Sequence, residues 1–306
     1  MNFIDSHCHL HDPRIISDIP WIEDRARIEN VQYMVSCATM EDNFELTAQL
    51  SKDFDSILPC FGIHPWFVGS ISDKWKEKLE HYLLTYPSGI GETGIDFTDK
   101  TCDREAQIKV FERHLILSRE LERPINIHVR NAWDTFIHIL KKTGKLKVPG
   151  LIHSYSGSAD MIPFFEKYGL YISFSGSVTN PRAKKVVNAL KMVSCDRFVL
   201  ETDTPDIYPY LPEHLLEPEA SRLNEPKNLP AIAQIASNRI GMAFEEFSNH
   251  AYKNSLKVFH PVLEGKKIKN ESICKNRAAS WNKEYEKDNK CNSGCFWSGC
   301  SGVICN

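Results

Sequence analysis

The chain has 306 residues, 42% of them hydrophobic and 25% charged, with a formal net charge of −3. At ~150 residues per domain that allows two domains, although one α/β barrel of ~250 residues also fits. The composition excludes wholesale disorder, and the near-neutral balance excludes a histone-like polyelectrolyte. No apolar run reaches the ~18 residues of a membrane span, and Met1-Asn2-Phe3-Ile4-Asp5 carries no basic start, so a cytoplasmic protein without membrane attachment is the expectation.

Short apolar runs recur at residues 3–9, 33–38, 57–64, 89–96, 124–129, 150–155, 170–175 and 198–203. Each is short and rich in Ile, Val, Phe or Cys, as buried parallel strands are. Stretches with helical spacing lie at residues 21–29, 43–52, 73–84, 103–121, 132–142, 161–168, 182–192 and 227–239. The clearest is 103–121, where Asp103 can cap the start and Ile108, Phe111 and Leu115 recur at three- and four-residue steps. Eight strand–helix repeats predict a (β/α)8 TIM barrel of α/β class. The nearest alternative, an open doubly wound sheet, favours a glycine-rich loop after the first strand, where His7-Cys8-His9-Leu10-His11 stands instead.

The cysteines divide the chain. Cys8, Cys37, Cys60, Cys102 and Cys195 are scattered and read as small buried hydrophobes. Cys274, Cys291, Cys295, Cys300 and Cys305 crowd the last 33 residues. Residues 261–306 hold eight Lys/Arg against five Asp/Glu, which makes the tail +3 and the rest −6. The expected organisation is a barrel domain over 1–262 and a Lys/Cys-rich C-terminal extension over 263–306, with disorder expected for the latter. The spacing Cys291-x3-Cys295-x4-Cys300-x4-Cys305 matches no standard zinc or iron–sulfur pattern.

A barrel gathers its active site where the strands end. Here the first strand ends in His7 and His9, two residues apart and on one face. The third ends in Gly62-Ile63-His64-Pro65, the fourth carries Gly91-Glu92-Thr93-Gly94-Ile95-Asp96, and the fifth ends in Ile127-His128-Val129-Arg130. The sixth ends in Ile152-His153-Ser154 and the eighth in Leu200-Glu201-Thr202-Asp203. Histidines and carboxylates collected on one rim are the ligand set of Zn, Mn or Fe, or of a mixed site that also takes Mg. Arg130 either holds an anion at the mouth or makes a structural salt bridge, and Trp66 and Phe67 either stack on a base or pack a loop. Gly94 and Gly157 are expected to let backbone approach a substrate. His81, His114, His138, His214, His250 and His260 fall on helices or loops and are expected to be solvated, as are the lysine runs at 141–147 and 184–191.

These motifs, in this order over about residues 2–260, resemble the TatD family of metal-dependent hydrolases in the amidohydrolase superfamily. The resemblance rests on Phe3-Ile4-Asp5-Ser6-His7-Cys8-His9-Leu10, Gly62-Ile63-His64-Pro65, Gly91-Glu92-Thr93-Gly94-Ile95-Asp96-Phe97, Pro124-Ile125-Asn126-Ile127-His128, Ile152-His153-Ser154-Tyr155-Ser156-Gly157 and Leu200-Glu201-Thr202-Asp203-Thr204-Pro205. It implies a TIM barrel with one or two divalent cations (Mg, Mn or Zn), one held by His7, His9, Glu92 and Asp203, the other by Glu92, His128 and His153. Catalytic roles are implied for Asp203, Glu92, His64 and Glu201. The implied activity is that of a deoxyribonuclease, commonly a 3′→5′ exonuclease on single-stranded DNA ends, and a monomer suffices for it. The chain departs from the family at His11, where Asp or Asn is usual, at Phe198, where Leu is common, and in its Cys-rich tail. A related hydrolase of an amide, ester or small phosphodiester would use the same cations. Glu92 stands where many such enzymes bridge their metals with a carbamylated lysine, which favours the nuclease. A non-catalytic metal-binding scaffold would require an incomplete ligand set, and no ligand is missing.

Overall fold

The computed structural model describes residues 1–212 and 223–291, with side chains described as far as residue 269. The eight strands are β1 (Phe3–Cys8), β2 (Val31–Cys37), β3 (Ile57–Phe61), β4 (Gly89–Asp96), β5 (Ile125–Arg130), β6 (Gly150–Ile152), β7 (Leu170–Phe174) and β8 (Phe198–Leu200). They form one parallel sheet in sequential order. The helices are α1 (Ile19–Ile28), α2 (Phe44–Asp53), α3 (Trp75–Thr85), α4 (Arg104–Glu120), α5 (Trp133–Thr143), α6 (Ile162–Lys167), α7 (Lys184–Met192), α8 (Leu229–Ile240) and α9 (Phe244–Cys291). The first and last strands meet through backbone bonds, Asp203 N–H to His7 O at 3.0 Å and His9 N–H to Thr204 O at 2.7 Å. This is a (β/α)8 TIM barrel.

The two-residue period of the strands sorts their side chains into two cores. Ile4, Val35, Leu58, Leu151, Tyr171 and Val199 form one cluster, joined by Val258, Phe259 and Val262 of α9. Their alternates, among them Met34, Ile57, Ile152, Ile172 and Phe198, join the cluster packed with the surrounding helices. Phe198 is accommodated there by Phe247, stacked at 4.7 Å between centroids. Because both faces are buried, the strands read as nearly continuous apolar runs.

Strands 3, 6 and 8 stop three residues or more before the sequence places their ends. After β6 and β8 the backbone leaves the extended conformation. Ser154 and Asp203 adopt positive φ, 41° and 60°. The helix at 103–121 starts as expected, with Asp103 Oδ1 accepting the Ala106 N–H at 2.9 Å. The helix from Phe244 is not foreseen by the sequence reading. The chain divides into units Met1–Leu263 and Glu264–Asn306, and α9 is helical as far as Cys291. Cys295, Cys300 and Cys305 lie outside the described residues, as do the side chains of Cys274 and Cys291. Among the described residues no helix is long and apolar enough to cross a membrane.

Two expectations need correction. Cys8, Cys37 and Cys60 are buried, but Cys102 is half-buried and Cys195 exposed. Of the histidines expected in solvent, His81, His138 and His260 are exposed, His250 is half-buried, and His214 lies outside the described residues. His114 is fully buried. It stands three residues after Phe111, so it belongs to the inward stripe of α4. Its Nδ1–H donates to Val110 O at 2.7 Å and its Nε2 accepts the Ile63 N–H at 3.1 Å. The ring stacks on Trp75 at 5.7 Å.

Burial pushes the His114 pKa down to about 4 from the usual 6.5. The unfolded state therefore binds more protons between those values. Stability from this group is complete above pH 6.5 and is lost as pH falls through 4; by linkage it amounts to about 3 kcal/mol at neutral pH. A His114→Gln variant is expected to be less stable than wild type at pH 7.5, with the gap shrinking by pH 4.5. Urea unfolding at both pH values measures it.

Candidate active site

Six donors converge where the strands end. Glu92 is at their centre, buried and with its two oxygens facing different groups. Oε2 lies 3.4 Å from His7 Nε2 and 3.2 Å from His9 Nε2. Asp203 Oδ1 lies 3.5 Å from each of the same two nitrogens. On the other side, Glu92 Oε1 lies 3.0 Å from His128 Nδ1 and 3.1 Å from His153 Nε2. The two pairs of histidine nitrogens, His7 with His9 and His128 with His153, are 3.2 and 3.1 Å apart.

The remote nitrogen of each ring decides the tautomer. His7 Nδ1 donates to Asn126 Oδ1 at 3.0 Å, because the Asn126 amide nitrogen is committed to Ser6 O. His9 Nδ1 donates to Cys37 O at 2.8 Å. His128 Nε2 donates to Asp96 Oδ2 at 3.1 Å, and His153 Nδ1 donates to Glu201 Oε1 at 3.2 Å. Glu201 is fixed in turn by the Ser154 N–H at 2.7 Å and the Ser173 hydroxyl at 2.5 Å. In the neutral form of these four rings, every nitrogen that faces Glu92 is therefore a lone pair.

Lone pairs and carboxylate oxygens crowded at this spacing repel one another unless positive charge lies between them. With an ion ~2.0–2.2 Å from each ligand, neighbouring donors fall ~3.0–3.5 Å apart, which is the spacing found. The residues thus fit divalent cations, with Glu92 offering one oxygen to each half of the site. Without an ion, protons take the place of that positive charge, and a cation must displace them. Burial lowers the His9 pKa, but bonds to Asp203 and Glu92 carry it up to about 10. Against burial, Glu92 and Glu201 raise His153, and Asp96 and Glu92 raise His128. Burial would raise Glu92, yet the surrounding imidazoles of His64, His153 and His7 hold it well below the usual range.

His64 also comes close, with Nε2 3.5 Å from Glu92 Oε1. Its geometry sets it apart from the other four rings. Its Nδ1 accepts the Trp66 N–H at 3.2 Å, so Nε2 keeps the proton. Burial pushes its pKa down to about 3, so the ring stays neutral. His64 is a hydrogen-bond donor to the site rather than a lone-pair ligand. His11, where the chain departs from the family pattern, lines the cleft beside His9, and its buried Nδ1 has no partner among the described residues.

The donors open into a cleft of about 620 Å³ that includes Arg130, Trp66, Ser154 and Ser156. Arg130 is exposed and makes no ion pair among the described residues. The glycines serve another purpose than the one expected. A Cβ on Gly94 would collide with the carbonyl oxygen of His128, and one on Gly157 with the Tyr155 ring, so both are small for the protein's own packing. The sequence reading assigns no role to Asp96 or Asn126. Period two signals both: Asp96 shares the β4 face of Glu92, and Asn126 the β5 face of His128.

Known proteins place the chain. The model of the family "TatD related DNase" matches residues 4–260. "Uncharacterized metal-dependent hydrolase YabD" of Bacillus subtilis is 28% identical over 258 residues, 83% of this chain and 98% of that protein. Human "Deoxyribonuclease TATDN3" is 29% identical over 274 residues, 85% of this chain and 95% of that one. The crystal structure of the TatD homologue YJJV from Escherichia coli superposes with a TM-score of 0.77 at 25% identity, covering 84% of this chain and 98% of the other. With those motifs in a barrel of this topology, the chain belongs to the TatD family of metal-dependent hydrolases.

Proposed function

We propose that the protein is a deoxyribonuclease that removes nucleotides from the 3′ ends of single-stranded DNA with two divalent cations. The observation that carries this reading is the convergence of four bare imidazole nitrogens and Asp203 on the two oxygens of Glu92. His7, His9, Glu92 and Asp203 would hold one ion and Glu92, His128 and His153 the other. When bound, the pair supplies water activation and neutralisation of the charge that develops on phosphorus.

The chain's own residues do the rest. Asp203 lines the cleft beside the His7–His9 pair and takes the proton lost by the attacking water. Burial would raise its pKa, but His9, His153 and His7 hold it below the usual range, so it is ionised. His64 offers its Nε2–H as a neutral donor. Asp96, Asn126 and Glu201 hold the ligand rings in their tautomers. Arg130 takes a phosphate oxygen from the open side of the cleft. The substrate class is supported by this cation, and by the naming of the human relative as a deoxyribonuclease. The −6 charge outside the tail suits a strand end, which needs few phosphate contacts, better than long duplex.

The test uses chelator-stripped protein with Mg²⁺, Mn²⁺ or Zn²⁺ restored, acting on 5′-labelled single-stranded DNA. The expected product is a ladder shortening from the 3′ end. DNA left intact under all three metals, by folded and metal-loaded protein, would move the search to amides, esters and small phosphodiesters.

Glu201 supplies a separate prediction. It touches His153 but does not line the cleft. Glu201→Gln is expected to weaken metal affinity ~10–100-fold while the fold survives, as removal of such supporting carboxylates does. Activity against free Mn²⁺ concentration measures it, with recovery at saturating metal.

A further inference from the structure

One aromatic side chain at the cleft is both exposed and pinned. Trp66 lies in the short 3-10 turn Pro65–Ser70 after β3 and leaves 63% of its surface open. Its indole is nevertheless fixed along one edge, where Nε1–H donates to Asp96 Oδ2 at 2.8 Å. The ring meets His64 edge-on at 4.8 Å and His128 at 6.4 Å. The oxygen that holds it, Asp96 Oδ2, is the one that accepts His128 Nε2–H.

Trp66 is also a wall between two cavities. It lines the 620 Å³ cleft on one side and a neighbouring cavity of about 460 Å³ on the other. The second cavity is lined by Thr98, Thr101 and Gln107 together with Asp96, Asp99 and Asp103, and by no lysine or arginine among the described residues. It therefore offers a phosphate no positively charged side chain. Arg130 lines the first cavity only. The charge on the walls thus separates a phosphate-accepting side from a side that suits a neutral, planar group bearing hydrogen-bond donors.

We propose that Trp66 is a base-stacking residue, which receives the planar ring of the nucleotide next to the scissile bond, and that Asp96 holds the indole in place for it. This deepens the deoxyribonuclease reading and rests on it. An aromatic face already fixed by its own N–H loses little freedom when a base stacks on it. Asp96 acts through Trp66 and His128 and is a positioning residue. A shared acceptor places the base platform and a ring of the metal centre on one carboxylate, so a seated base and an ordered centre support each other.

The experiment compares two 5′-labelled oligothymidylates, one intact and one whose two 3′-terminal residues carry tetrahydrofuran in place of the base. Stacking on one aromatic side chain predicts that wild type prefers the intact strand by roughly 5- to 150-fold in kcat/KM. Trp66→Ala is expected to bring that ratio close to one, chiefly through KM for the intact strand. Trp66→Phe should retain part of the preference, because a smaller ring still stacks. Trp21→Ala, an equally open tryptophan on α1, should keep the whole preference. Equal use of both strands by wild type, or an undiminished preference in Trp66→Ala, would overturn the assignment. If wild type cuts neither strand, the deoxyribonuclease reading fails, and thymidine monophosphate binding judges the platform by itself. Quenching of tryptophan fluorescence that is present in wild type and absent in Trp66→Phe would keep it. No quenching in wild type would end it.

Discussion

Replacing Glu92 with glutamine is expected to lower hydrolytic turnover by ~10³-fold or more, about 4 kcal/mol of barrier, and to empty the metal centre. The size of the effect follows from position. Among the described residues, Glu92 alone has oxygens within 3.5 Å of all five histidines of the site, Oε2 facing His7 and His9 and Oε1 facing His64, His128 and His153. Glutamine keeps the volume and loses the charge. Its NH₂ would face either the His7–His9 pair or the His128–His153 pair, so one half loses a ligand and the other keeps a neutral oxygen in place of a charged one. The fold should survive, because glutamine fills the same volume and neither hydrophobic core includes this side chain. Metal content and turnover, measured on the same preparation with circular dichroism as the folding control, test this. A variant that keeps both metal and turnover would remove Glu92 from the centre.

Gly94→Ala is expected to be the most damaging single methyl group in the barrel. Gly94 has φ of +153°, and its Cα pairs in register with His128 across the β4–β5 ladder. An added Cβ would run into the carbonyl oxygen of His128 and crowd its carbon and nitrogen, all of them backbone. Backbone cannot swing aside as a lysine tip can, so β4 and β5 must separate where Glu92 and His128 project. Destabilisation of roughly 4 kcal/mol or more is the expected result, from strain and a broken ladder together. Soluble yield and the thermal midpoint report it. A Gly94→Ala protein with a wild-type midpoint would show that the two strands are less tightly joined than their register implies.

Much of the barrel was legible because its two periods are strong. Parallel strands buried on both faces show as apolar runs, and the amphipathic helices between them show as three- and four-residue steps. The ends of strands 3, 6 and 8 were not legible, since turns such as those at Ser154 and Asp203 depend on what the side chains converge upon. The histidines gathered around Glu92 were legible for a topological reason: strand ends are where a barrel concentrates charge. His114 was misjudged because a histidine in an apolar stripe looks the same in sequence whether its nitrogens meet solvent or, as here, Val110 and Ile63. Asp96 and Asn126 carried the right parity and were passed over because their work is done on other side chains. The distinction between His64 and the other four rings depends on the Trp66 N–H, a contact created by the turn after β3.

The most direct test of the centre is a count of metal in the full chain. Mn²⁺ suits it, because imidazole and carboxylate bind this ion while thiolate favours softer ones, which keeps the ten cysteines from confusing the result. Titration of chelator-stripped wild type with Mn²⁺, followed calorimetrically, is predicted to give two equivalents per chain, both lost in Glu92→Gln. No binding in wild type, or binding that is unchanged without the Glu92 carboxylate, would contradict a cation pair centred on that residue.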